Sequence, residues 1–133
     1  MEKVRGCGID IEEFDRFRKY FPLEDEVPDL FRMVFTEEEI SRNRKILRHI
    51  TFLMAFSCKE AVFKAFGRSW TNSRLDWREI EIIFKDQDDL NNYEIRLDGY
   101  AKLLFDEMGC TRLESSFEYD DEFVVSEVLF LSG

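Results

Sequence analysis

The sequence predicts an α+β fold, with a mainly antiparallel sheet packed on a long central helix, and three observations carry that expectation. Residues 48–66 place Phe52, Leu53, Phe56, Val62, Phe63 and Phe66 at spacings of three and four, which is helical, and the segment is apolar on more than one side. A helix of that kind has to be buried. Residues 79–84, 93–97, 112–117 and 122–131 read instead as short strands bounded by turn residues. The resulting order, β-α-α-α-β-β-α-β-β, sets strands next to one another in pairs, as an antiparallel sheet requires.

Each element has a local reason. Residues 4–11 form a short apolar strand whose Gly6 and Gly8 suit a bulge or a close approach of another backbone. Residues 12–21 bring Phe14, Phe17 and Phe21 onto one face of a short helix that Pro22 ends, and residues 22–35, with two prolines and several acids, read as a loop. Thr36 followed by Glu39 is a capping-box pattern, opening a helix that runs toward residue 46. Gly67 is placed to close the long helix. A polar loop with Trp70 and Trp77 follows, then a strand, a turn over residues 85–92 and a second strand. Asp98 can cap a helix over residues 100–108 that Gly109 closes, and the acidic turn 118–122 joins the last two strands.

The chain of 133 residues is the size of one domain, taken as residues 1–133. With 44% hydrophobic residues and fourteen phenylalanines, it can build an ordinary core without disulfide or metal staples. Cys7, Cys58 and Cys110 are an odd number without a Cys-x-x-Cys pair, so reduced, mostly buried thiols are expected rather than a disulfide framework or zinc. The N-terminus lacks a signal-peptide run, and no stretch is apolar enough to span a membrane, so a cytoplasmic protein is expected. A formal net charge of -10 argues against nucleic acid as a partner. That charge is unevenly placed. Residues 1–85 hold sixteen acids and sixteen bases, whereas residues 86–133 hold thirteen acids and three bases. The neutral part also contains the basic cluster Arg42, Arg44, Lys45 and Arg48, read either as a solvated helix face or as a docking surface.

Two places put ionisable groups where folding alone would not. Asp10 lies in the apolar strand end Gly8-Ile9-Asp10-Ile11, where a carboxylate needs a partner. Glu60 and Lys64 are one turn apart on a helix otherwise made for burial. Taken singly, Glu60 and Lys64 read as an intrahelical ion pair. Together, the strand carboxylate, the helix carboxylate and the lysine could hold an oxygen-seeking cation such as Mg²⁺ and grip a diphosphate.

These residues carry a resemblance. Gly8-Ile9-Asp10-Ile11 followed by Arg16, Phe35-Thr36-Glu37-Glu38-Glu39, and Phe56-Ser57-Cys58-Lys59-Glu60-Ala61-Val62-Phe63-Lys64-Ala65-Phe66-Gly67 resemble, in order and spacing, the motifs of the 4'-phosphopantetheinyl transferase superfamily, of the holo-acyl carrier protein synthase type. The resemblance implies the fold of that superfamily, a homotrimer with sites between subunits, and transfer of 4'-phosphopantetheine from coenzyme A to a serine of an apo acyl carrier protein, as in fatty-acid or polyketide synthesis. It implies Asp10 and Glu60 as Mg²⁺ ligands, Glu60 and Lys64 as catalytic residues, Lys64 and Lys59 as contacts to coenzyme A, and Arg16 as a contact to the carrier. The chain departs from the pattern in places. Ala55 replaces an arginine, and aligning the last strand on Phe123 puts Glu118-Tyr119-Asp120 where the family carries Ser-His-Ser. The alternative reading is therefore a member that binds a carrier or other partner without turnover.

Overall fold

The structure is a computed structural model that describes residues 1–20, 29–45, 48–68, 74–86 and 88–133. Strand β1 (Lys3–Glu13) leads into helices α1 (Phe14–Tyr20), α2 (Asp29–Val34), α3 (Glu37–Lys45) and α4 (Arg48–Ala65). A single 3-10 turn (Trp77–Glu79) precedes strands β2 (Ile80–Phe84) and β3 (Tyr93–Leu97), helix α5 (Gly99–Glu107), and strands β4 (Arg112–Tyr119) and β5 (Phe123–Ser132). The expected α+β class holds. The strands form two antiparallel sheets among the described residues rather than one, with orders β1-β5-β4 and β2-β3.

Helix α4 lies across the inner face of β1 and β5, and two glycines let it come close. A Cβ on Gly6 would collide with the Ala65 carbonyl oxygen, and one on Gly8 with the Ala61 carbonyl oxygen. Only hydrogen at those strand positions, facing alanines on the helix, permits the contact. Next to it, Phe66 and Phe105 meet Phe130 edge-on at 4.6 and 5.2 Å between centroids. Toward the N-terminal half of α4, Phe52 takes Phe31 and Phe35 at 5.0 and 5.1 Å. Ring pairs of this geometry add to the area they bury.

Two expectations are corrected. Residues 29–34 are helix, not loop, and α2 buries Phe31 and Val34. Its packing on Phe52 holds a two-turn helix that carries too few residues to show a period. Glu12 and Glu13 belong to β1, not to the first helix. The strand runs on because it stays paired with β5 as far as Glu13 opposite Phe123, and the Phe14 N–H then donates to the Glu122 carbonyl at 2.9 Å. The thiols are mostly buried, as expected: Cys58 and Cys110 lie in the core and Cys7 is exposed. Pro22 and Trp70 lie outside the described residues, as do the side chains of Arg44, Lys45, Arg48 and His49. Arg42, the described member of the basic cluster, pairs with Glu38 at 3.4 Å.

The expected capping box is present: the Glu39 N–H donates to Thr36 Oγ1 at 3.2 Å, and the Thr36 N–H to Glu39 Oε1 at 3.1 Å. Glu39 does more than cap. It is fully buried and receives Lys59 Nζ at 2.8 Å and the Ile82 N–H at 3.1 Å, joining α3, α4 and β2. Lys59 also donates to the carbonyls of Trp77, at 2.8 Å, and Ile80. Burial pushes the Glu39 carboxyl up and the Lys59 ammonium down, while the pair's own attraction and these hydrogen bonds oppose both shifts. The hydrogen bonds and the mutual attraction are what offset the cost of burying both groups. Lys59→Ala should lower unfolding stability by about 3–5 kcal/mol, because it strands a buried carboxylate. Urea titration checks this, and Lys59→Met with Glu39→Leu should recover most of the loss.

Candidate active site

Past Gly8, the inner face of β1 continues through Asp10 and Glu12 along the edge of α4. Asp10 is only 6% exposed. The Ser57 hydroxyl of α4 donates to its backbone carbonyl at 3.3 Å, fastening strand to helix at this level. Lys64 Nζ reaches across to Asp10 Oδ1 at 3.1 Å and to the Ile9 carbonyl at 2.9 Å. Lys64 therefore closes on the strand, and the intrahelical pair with Glu60 gives way to a pair between elements. Half of the Lys64 side chain stays exposed.

Glu60 sits one turn before Lys64, half-buried, with its carboxyl pushed up by burial and by the Asp10 charge and pulled down by Lys64. Glu12 is a third carboxylate that the sequence assigned to a helix start. Burial, a hydrogen bond shared with Asp10, and the charges of Asp10 and Glu60 push it up to about 8, against the pull of Arg16. The alternation Asp10-x-Glu12, continued two residues past the expected strand end, is the signal that could have found it. Arg16 is exposed on α1.

Asp10, Glu12, Glu60, Lys64 and Arg16 thus share one neighbourhood. Lys59 does not. It was expected to touch coenzyme A, but it is 0% exposed and its three donors end on Glu39, Trp77 and Ile80, on the core side of α4. Its phase explains this, since Lys59 lies two turns after Phe52 on the buried stripe.

Whether a divalent cation fits can be judged from the donors. Asp10 Oδ2 is buried without a hydrogen-bond partner, beside two further carboxylates whose protonation is favoured by burial and then by the neighbouring negative charge. Oxygen donors in this state suit a hard cation. Among the described residues, no three His, Cys, Asp or Glu side chains converge on one point, so protein atoms alone do not complete a coordination shell. Mg²⁺ is ordinarily held that way, by one or two carboxylates with water and phosphate oxygens.

Glu60 also lines a cavity of about 830 Å³, together with Leu30, Met33, Phe56, Trp77, Arg74 and Arg78. Glu118, Tyr119 and Asp120 lie at the far end of the β4-β5 hairpin and are exposed. Asp120 Oδ1 accepts the N–H groups of Glu122 and Phe123, each at 2.8 Å, which holds its carboxyl below the usual range. That residue shapes the turn.

Helix α4 seated on a glycine strand thus brings carboxylates of both elements and a lysine to one place. The profile described as the 4'-phosphopantetheinyl transferase superfamily matches residues 6–122, and the chain belongs to that family. It is 31% identical over 129 residues to the holo-acyl-carrier-protein synthase of Geobacter metallireducens, covering 95% of this chain and 96% of that protein. It is 30% identical over 128 residues to the synthase of Ruminiclostridium cellulolyticum, covering 95% and 91%. Such relatives make it a phosphopantetheinyl transferase. Among solved structures, the holo-ACP-synthase of Plasmodium yoelii superposes with a TM-score of 0.77 at 23% identity, covering 100% of this chain and 98% of that one. The Helicobacter pylori synthase in complex with coenzyme A gives 0.73 at 22%, covering 93% and 98%. These structures share the fold.

The carboxylate cluster has a pH signature. Glu12 titrates from 4.5 in the unfolded chain to about 8 in the folded one, so its contribution is complete below about pH 4.5 and is lost as pH rises through about 8. In metal-free protein, stability should fall over that window and Glu12→Gln should flatten the fall. Thermal melts across the pH range check it.

Proposed function

We propose that the protein carries out Mg²⁺-dependent transfer of 4'-phosphopantetheine from coenzyme A to a serine of an apo acyl carrier protein. The observation that supports it is the buried Asp10 carboxylate of β1 set against Glu60 and Lys64 of α4, in a chain of this family. Asp10 and Glu60, with Glu12 beside them, would hold the cation. When bound, it supplies a positive centre for the pyrophosphate oxygens and for charge on the leaving group.

The protein's own groups account for the rest. Glu60 has a raised carboxyl and lines the cavity, so it is the group to take the proton as the serine oxygen bonds to phosphorus. The bond to the adenosine 3',5'-bisphosphate oxygen breaks in the same displacement. Lys64 has a half-exposed ammonium and contacts the phosphate being transferred. The apolar walls of the cavity are of a kind to receive the pantetheine arm. Arg16 meets the acidic carrier. A homotrimer is part of the same proposal. Its support is the outer face of β1 and β5, where Val4, Ile9, Ile11 and Phe123 are 61, 51, 62 and 40% exposed and leave an apolar surface for copies to cover.

The test is a mass gain of one phosphopantetheine on the serine of an apo carrier protein incubated with the enzyme, Mg²⁺ and coenzyme A. Glu60→Gln should slow it by about 10²-fold or more without changing the melting temperature. Binding of every cognate carrier without any mass gain would overturn the transferase reading and leave a carrier-binding protein. Arg16→Glu should raise KM for the carrier with kcat nearly unchanged, and the difference from wild type should shrink as salt is added. An unchanged KM would remove Arg16 from the docking surface.

A further inference from the structure

The inward row of β5 is Val124, Ser126, Val128 and Phe130, and all four are essentially without exposure. Ser126 is the one polar member. Its partner directly across the β1-β5 ladder is Asp10, so the two side chains stand side by side on the same face. Both carry a buried polar atom without a hydrogen-bond partner, Ser126 Oγ and Asp10 Oδ2. One can donate and the other can accept, and buried polar groups of this kind are rarely left unjoined.

Of the other donors nearby, the Glu12 carboxyl shares a hydrogen bond with Asp10, and two more are engaged at other atoms. Lys64 Nζ is on Oδ1, and the Ser57 hydroxyl is on the Asp10 backbone carbonyl. Across β5 from Ser126, the next strand offers Phe117, which has no side-chain donor. We propose that Ser126 is a positioning residue for Asp10. Its hydroxyl donates to Oδ2, directly after rotation about χ1 or through one water, and fixes the carboxylate plane that Lys64 holds at Oδ1, leaving the second lone pair of Oδ2 for the cation. A carboxylate whose plane is fixed by donors presents its remaining lone pair to a cation in a single orientation. The inference rests on the reading of Asp10 as a cation ligand given above.

Mn²⁺ binding to the purified full-length protein, followed by electron paramagnetic resonance without any substrate, tests both. Ser126→Ala should weaken Mn²⁺ binding by about tenfold or more, as loss of a partner to a ligating group does, with a melting temperature no lower than wild type. Ser126→Thr keeps the hydroxyl and should bind as wild type does. If Asp10→Asn loses Mn²⁺ while Ser126→Ala binds normally, the inference about Ser126 fails and the Asp10 reading stands. If Ser126→Thr is as weak as Ser126→Ala, packing rather than the hydroxyl is responsible and the inference fails. If Asp10→Asn binds Mn²⁺ normally, both fail together.

Discussion

The contact between β1 and α4 is the constraint on which the rest depends. A helix packed on a sheet through ordinary side chains stands off by the length of those chains. Here Gly6 and Gly8 bring the carbonyls of Ala61 and Ala65 almost onto the strand. That closeness lets Lys64 reach a strand carboxylate and a strand carbonyl at once. It also lets the Ser57 hydroxyl grip the Asp10 backbone from the same helix. A methyl group at either glycine would push the two elements apart and separate the groups that meet at Asp10, whatever the core elsewhere allowed.

Close approach also creates the electrostatic character of the site. Three carboxylates, Asp10, Glu12 and Glu60, are brought into mutual range with partial burial, and two of them respond by favouring their protonated forms. Lys64 offsets only part of the negative charge, and Arg16 adds a weaker pull from α1. A site in that condition is prepared for a cation and for proton traffic. The acidic excess of the last 48 residues plays little part in it. Glu94 is bound by Lys85 and Arg96, Glu114 by Arg112, and Asp120 by its own turn.

Much of this was legible in the sequence. The periodicity of residues 48–66, the Thr36–Glu39 box and the costly placement of Asp10 all led to the elements and side chains that the structure brings together. The rest is hidden for physical reasons. Helix α2 is held by Phe31 against Phe52, a contact between distant residues that a two-turn segment does not announce. Glu12 was misassigned because the phenylalanine spacing after it is helical, while pairing with β5 keeps the strand going two residues longer. Lys59 was placed at the substrate by likeness to a motif. Its helical phase, on the stripe of Phe52 and Phe63, pointed to the core.

The buried pair of Lys59 and Glu39 then acquires a second meaning. Consecutive residues of an α-helix project about 100° apart around its axis. Lys59 is fastened to α3 through Glu39 and to the start of β2 through the Ile80 carbonyl, so α4 is keyed in rotation at that point as well as seated in depth by the glycines. Glu60, the next residue, inherits its direction from that key. An acid and a base side by side in the sequence thus divide two tasks: the lysine sets the angle of the helix, and the glutamate is aimed by it.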